Sequence, residues 1–116
     1  MKEAILICFS VKTKKFKDTY ERNRFFRELY GWRQVIRKDK KSYEYKREGF
    51  LDRVPHIRVD QSMFIILKKH LKLMKEFFKE WEDKINWNEF KVLLDEEKIK
   101  LLEEWKDGRG SRAKSW

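Results

Sequence analysis

Cations and aromatic rings are interleaved between Tyr20 and Arg58, and this is the feature of the 116-residue sequence most suggestive of chemistry. Tyr20, Arg24 and Arg27 are spaced by four and three residues, which places them on one face of a helix. Trp32, Arg33 and Arg37 follow, then Lys38, Lys40, Lys41, Tyr43, Tyr45, Lys46 and Arg47. Cations hold phosphates and exposed rings stack on bases, so the set points to nucleic acid, DNA or RNA. Any single ring also reads plainly as a core or sheet-covering residue. The cluster carries more weight than its members.

The distribution of charge strengthens the case. Of a net +10, Lys12–Arg58 holds 16 Lys/Arg against 7 Asp/Glu, a net of +9. Val59–Asp107 holds 10 against 12, a net of −2, and Gly108–Trp116 adds +3 through Arg109, Arg112 and Lys114. Arginine is segregated too: eight lie between Arg22 and Arg58, two in the tail and none between. The guanidinium fork matches phosphate and stacks on bases, whereas Lys is a hydrated point charge. Two other readings stay open: a structural subunit whose basic half docks an acidic protein, and a solvated basic face without a partner. Lys and Glu dominate while Gln and Asn are scarce, the usage seen in thermophile proteins.

Acid–base and metal chemistry have thinner support. The two histidines and single cysteine form no zinc-like spacing, so no metal is expected. His70 begins a helix and His56 follows Pro55 in a loop, so both read as surface or capping groups. Neither a glycine-rich phosphate loop nor a nucleophile elbow is present, and no cofactor is implied. If the chain cut nucleic acid with a metal, Asp60 is the candidate carboxylate, with Asp18 and Asp39 beside it. Cys8 lies in an apolar run and reads as a buried structural thiol, which makes the cytoplasm the default compartment. That run, Ala4–Phe9, falls far short of the roughly 20 residues of a membrane span, and it has no secretory cleavage site.

The elements that must position these residues follow from periodicity. Ala4–Val11 is short, apolar and β-branched, a buried strand. Asp18, with Glu21 three residues on, caps a helix over Thr19–Tyr30 that buries Phe25, Phe26 and Leu29 and ends at Gly31. Trp32–Arg37 and Ser42–Arg47 form a hairpin around Lys38–Lys41, with Tyr43, Tyr45 and Arg47 on one face. Gly49–Arg58, containing Pro55, is expected to be irregular. Met63–Leu67 is a second buried strand. Leu71, Met74, Phe77, Phe78, Trp81 and Ile85 form the stripe of a helix from His70 to about Asp83. Glu89–Leu94 reads as an edge strand before a helix capped at Asp95, the alternative being one helix throughout. The result is a single α+β domain over residues 1–107 with a flexible basic tail at 108–116. Its order is the ferredoxin-like β-α-β-β-α-β two-layer sandwich with an extra C-terminal helix, the hairpin supplying the second core strand.

Val59-Asp60-Gln61-Ser62-Met63-Phe64, entering a strand and followed by an amphipathic helix, resembles the "VQxSVF" strand motif of a CRISPR-associated family. These are the small ferredoxin-fold proteins of the CRISPR adaptation complex. The resemblance covers six positions in motif and about 95 residues in topology. It implies a homodimer that binds duplex DNA, and in some members a metal-dependent nuclease. The family's aspartate at the end of the first strand is absent here, where Ser10 and Val11 stand, and the span from Trp32 to Arg58 is longer than usual.

One packing problem remains. Residues 5–9 and 63–67 are apolar on both sides of the strand. If two helices cover one sheet face, the other needs the C-terminal helix around Ile99, Leu102 and Trp105, or the same face of a second subunit. A homodimer through a sheet face is the expectation.

Overall fold

The computed structural model describes residues 1–105, so the predicted basic tail lies outside the described residues. The strands are β1 (Lys2–Val11), β2 (Trp32–Lys38), β3 (Lys41–Arg47), β4 (His56–Asp60), β5 (Met63–Ile66) and β6 (Ile85–Leu94). The helices are α1 (Thr19–Tyr30), α2 (Leu71–Lys79) and α3 (Glu96–Glu103). Four strands make an antiparallel sheet in the order β4-β5-β1-β6, and β2 and β3 form a separate two-stranded ribbon. The fold is mixed α and β, as the sequence predicts.

One face of the sheet carries the main core. Ile5, Ile7 and Phe9 of β1 and Phe64 and Ile66 of β5 pack with Phe25 and Leu29 of α1 and Met74, Phe77 and Phe78 of α2. Phe25 joins Phe9 edge-on at 5.8 Å and Trp81 at 5.2 Å, geometry that adds to area burial. The opposite face is covered at one end, where Ile99 and Leu102 of α3 close over Ala4, Ile57 and Leu94. The C-terminal helix thus answers half of the packing problem.

The capping residues act as their chemistry requires. Asp18 accepts the Glu21 N–H at 2.9 Å, while Glu21 reaches back to the Lys17 N–H at 2.8 Å. Asp95 accepts the Lys98 N–H at 2.9 Å and starts α3, so strand then helix is the correct reading of that stretch.

Three expectations are corrected. The hairpin is not a core strand; the second strand of the sheet is His56–Asp60, inside the segment expected to be irregular. Pro55 stands just before it, which an edge strand such as β4 tolerates. The α2 helix ends at Lys79, where the Glu80 and Trp81 N–H groups turn to carbonyls three residues back. Trp81 still reaches the core, and Ile85 opens β6 instead of closing the helix. His56 is buried, not a surface group, with its Nδ1 2.8 Å from the Val54 carbonyl and its ring 5.0 Å from that of Trp105.

Candidate nucleic-acid interface

The ribbon begins and ends at a tight pinch. Gly31, at φ 80°, precedes β2, and Gly49 follows β3. A Cβ on Gly49 would stand 2.0 Å from the Gly31 nitrogen, and one on Gly31 would stand 2.4 Å from the Arg47 carbonyl oxygen. Only glycine permits this approach, and it fixes how the ribbon leaves the core. Asp52, buried in the turn Phe50–Arg53, secures the pinch by accepting the Gly49 N–H at 2.8 Å and pairing with Lys46 at 3.5 Å. The sequence reading missed Asp52. Its signal was present as an acid three residues after Gly49, a spacing at which a carboxylate can satisfy the first backbone donor.

At the far end Asp39 and Lys40 both have positive φ, 51° and 66°, the two-residue turn whose twist suits a hairpin. Register then sorts the side chains. Trp32 pairs with Arg47, Gln34 with Tyr45, Ile36 with Tyr43 and Lys38 with Lys41 on one face. Arg33 with Lys46, Val35 with Glu44 and Arg37 with Ser42 occupy the other. Every residue of β3 is exposed. The ribbon holds seven Lys/Arg and two Asp/Glu, a net of +5.

The predicted residues separate into two groups. Those near α1 are engaged within the chain: Arg24 pairs with Glu28 at 3.0 Å and lies 5.0 Å over Trp81, and Arg27 lies 4.4 Å over Trp32. Arg33 pairs with Glu44 at 3.8 Å, and Arg47 bonds Gln34 at 2.6 Å with its guanidinium 5.6 Å over Tyr45. Tyr20 projects from α1, highly exposed. At the ribbon tip, by contrast, Arg37, Lys38, Lys40 and Lys41 have no ion-pair partner among the described residues. Tyr43 and Tyr45 stand beside them, 45% and 46% exposed. The structure therefore concentrates uncompensated positive charge and open rings at one place.

No family model, curated protein or solved structure matches the chain.

The carboxylates proposed for metal chemistry do not converge. Asp18 caps α1, Asp39 sits at the ribbon tip, and Asp60 closes the β4–β5 turn by accepting the Gln61 N–H at 2.7 Å. Among the described residues no three His, Cys, Asp or Glu side chains are grouped to hold an ion. Beside Asp60 lies a further cation–ring contact, which the sequence reading did not single out. Arg58 covers the Tyr30 ring at 4.0 Å, and the Tyr30 hydroxyl donates to the Gln61 carbonyl. Burial pushes the Tyr30 hydroxyl up to about 12, with Arg58 pulling the other way. The pair ties α1 to the β4–β5 turn, a structural role.

Proposed function

We propose that this chain binds nucleic acid through the tip of the β2–β3 ribbon. One observation carries the reading: among the described residues, four cations with no ion-pair partner stand beside two exposed tyrosines on a ribbon whose strands pair only with each other. Cations compensated by carboxylates serve stability or solubility, whereas a projecting uncompensated cluster attracts polyanions. The test replaces Arg37, Lys38, Lys40 and Lys41 with Ser and measures binding to single- and double-stranded oligonucleotides. The variant should keep the wild-type circular dichroism and lose binding at about 50 mM salt. Equal affinity of the wild type for an acidic protein of matched charge would move the reading to protein docking.

The architecture fits a ferredoxin-like domain if β1, β4, β5 and β6 are taken as the core strands, with α1 and α2 on one face and the ribbon inserted after α1. On that reading Val59–Phe64, the segment resembling the CRISPR-associated family, spans the end of β4, the turn and the start of β5.

We also propose self-association through the part of the second sheet face that α3 leaves open. Leu6, Cys8 and Ser10 of β1, Met63 of β5, and Asn86, Asn88 and Phe90 of β6 share that face by register. These seven are uncharged, in a chain with 43% charged residues, and Asp60, opposite Met63, places a carboxylate only at the β4 edge of the face. Charge is depleted at the centre of interfaces, and a neutral face lets two basic molecules meet with little repulsion.

A further inference from the structure

The aromatic face of the ribbon has a geometry that narrows the class of nucleic acid. Tyr43 and Tyr45 are two residues apart on one strand, so their rings leave the same face about 6.6–6.8 Å from each other. They are not buried against the domain; Ile36, which pairs with Tyr43, is also exposed. Cations bracket the rings on the same face, with Lys38 and Lys41 toward the tip and Arg47 toward the base. Arg47 already lies over the Tyr45 ring, as a guanidinium does when it continues a stack.

We propose that this face binds single-stranded nucleic acid, stacking one base on Tyr43 and another on Tyr45 while Lys38, Lys41 and Arg47 hold the flanking phosphates. The proposal rests on the nucleic-acid reading above and adds the strandedness. A ring can stack only on a base whose π face is open, and a duplex keeps its bases stacked on each other. Backbone-tracking cations around aromatic platforms are the arrangement by which single strands are held without sequence preference. A second copy of the chain is a poor occupant, because the ribbon's net +5 would face its own like charge.

The test uses the full chain with fluorescent oligothymidine of about 12 nucleotides and a duplex of the same length, at about 50 mM salt. Single strand should bind more tightly than duplex. Tyr43→Ala and Tyr45→Ala should each weaken single-strand binding by about 5- to 150-fold, with duplex binding unchanged. Tyr43→Phe and Tyr45→Phe should keep wild-type affinity, since stacking needs the ring and not the hydroxyl. Both positions are exposed, and thermal melts confirm that each variant folds. Single-strand affinity unmoved by the alanine variants, or a preference for duplex, overturns this proposal. If the ribbon-tip cation variant loses binding in the same assay, the broader nucleic-acid reading survives that failure.

Discussion

Phe90→Ser is the sharpest probe of self-association. Phe90 is 51% exposed in the isolated chain and stands near the middle of the uncharged face, paired with Leu6. A phenylalanine can bury about 150–250 Å², so about 100 Å² remains for a partner to cover. At about 25 cal/mol per Å² that is about 2.5 kcal/mol per copy and about 5 kcal/mol for a symmetric pair. With tenfold in affinity for each 1.4 kcal/mol, the variant should dissociate roughly a hundred- to several-thousand-fold more readily. Sedimentation equilibrium at micromolar concentrations reads the change directly. Leu93→Ser is the internal control. Leu93 is 64% exposed on the same strand but points to the other side, paired with Glu3, so its loss should leave the dimer intact. A wild type that stays monomeric at about 100 µM refutes the reasoning, as does a Phe90→Ser protein that dimerises like the wild type.

Three further outcomes follow from the fold. Gly49→Ala should destabilise the domain by about 3 kcal/mol or more in urea, because its Cβ meets the backbone of Gly31 and cannot give way; a loss below about 1 kcal/mol would contradict the pinch. Lys84, 2.7 Å from Glu21, holds that carboxyl below its ordinary 4.5. The resulting stability is full above pH 4.5 and fades as pH falls below it, and Lys84→Ala should raise the Glu21 midpoint in an NMR titration. Tyr30 should ionise near pH 12 in an ultraviolet titration. Its contribution is full below pH 10 and fades toward pH 12, and Tyr30→Phe should remove the late transition.

Much of the fold could be read from local signals. Asp18 and Gly31 bracket α1, Asp95 starts α3, and the apolar runs of β1 and β5 lie side by side at the centre of the sheet. These features depend on chemistry within a few residues. The role of β4 did not, since His56–Asp60 mixes two charges with a proline before it and becomes a strand only because β5 supplies a partner. The hairpin has the stronger β pattern, so local signals favour it over His56–Asp60 as the second core strand. The site was legible as a set of residue types, including which face Tyr43 and Tyr45 share. What the sequence hid was compensation. Arg27 on Trp32 and Arg33 on Glu44 depend on tertiary placement and pairing, although Arg24 and Glu28 stand four apart on a helix and could have been discounted in advance.

The most direct measurement of the central claim is the salt dependence of binding to an oligonucleotide, in the wild type and in the variant lacking Arg37, Lys38, Lys40 and Lys41. Each phosphate neutralised contributes about −0.7 to −0.9 to the slope of log K against log salt. Four cations at the ribbon tip therefore predict a slope of about −3, which is about a sixty-fold loss of affinity between 50 and 200 mM salt. The variant's slope should fall to about −0.7 to −0.9, the share of the one phosphate that Arg47 still holds. No binding by the wild type at about 50 mM salt, or a steep slope that survives the four substitutions, would contradict the account.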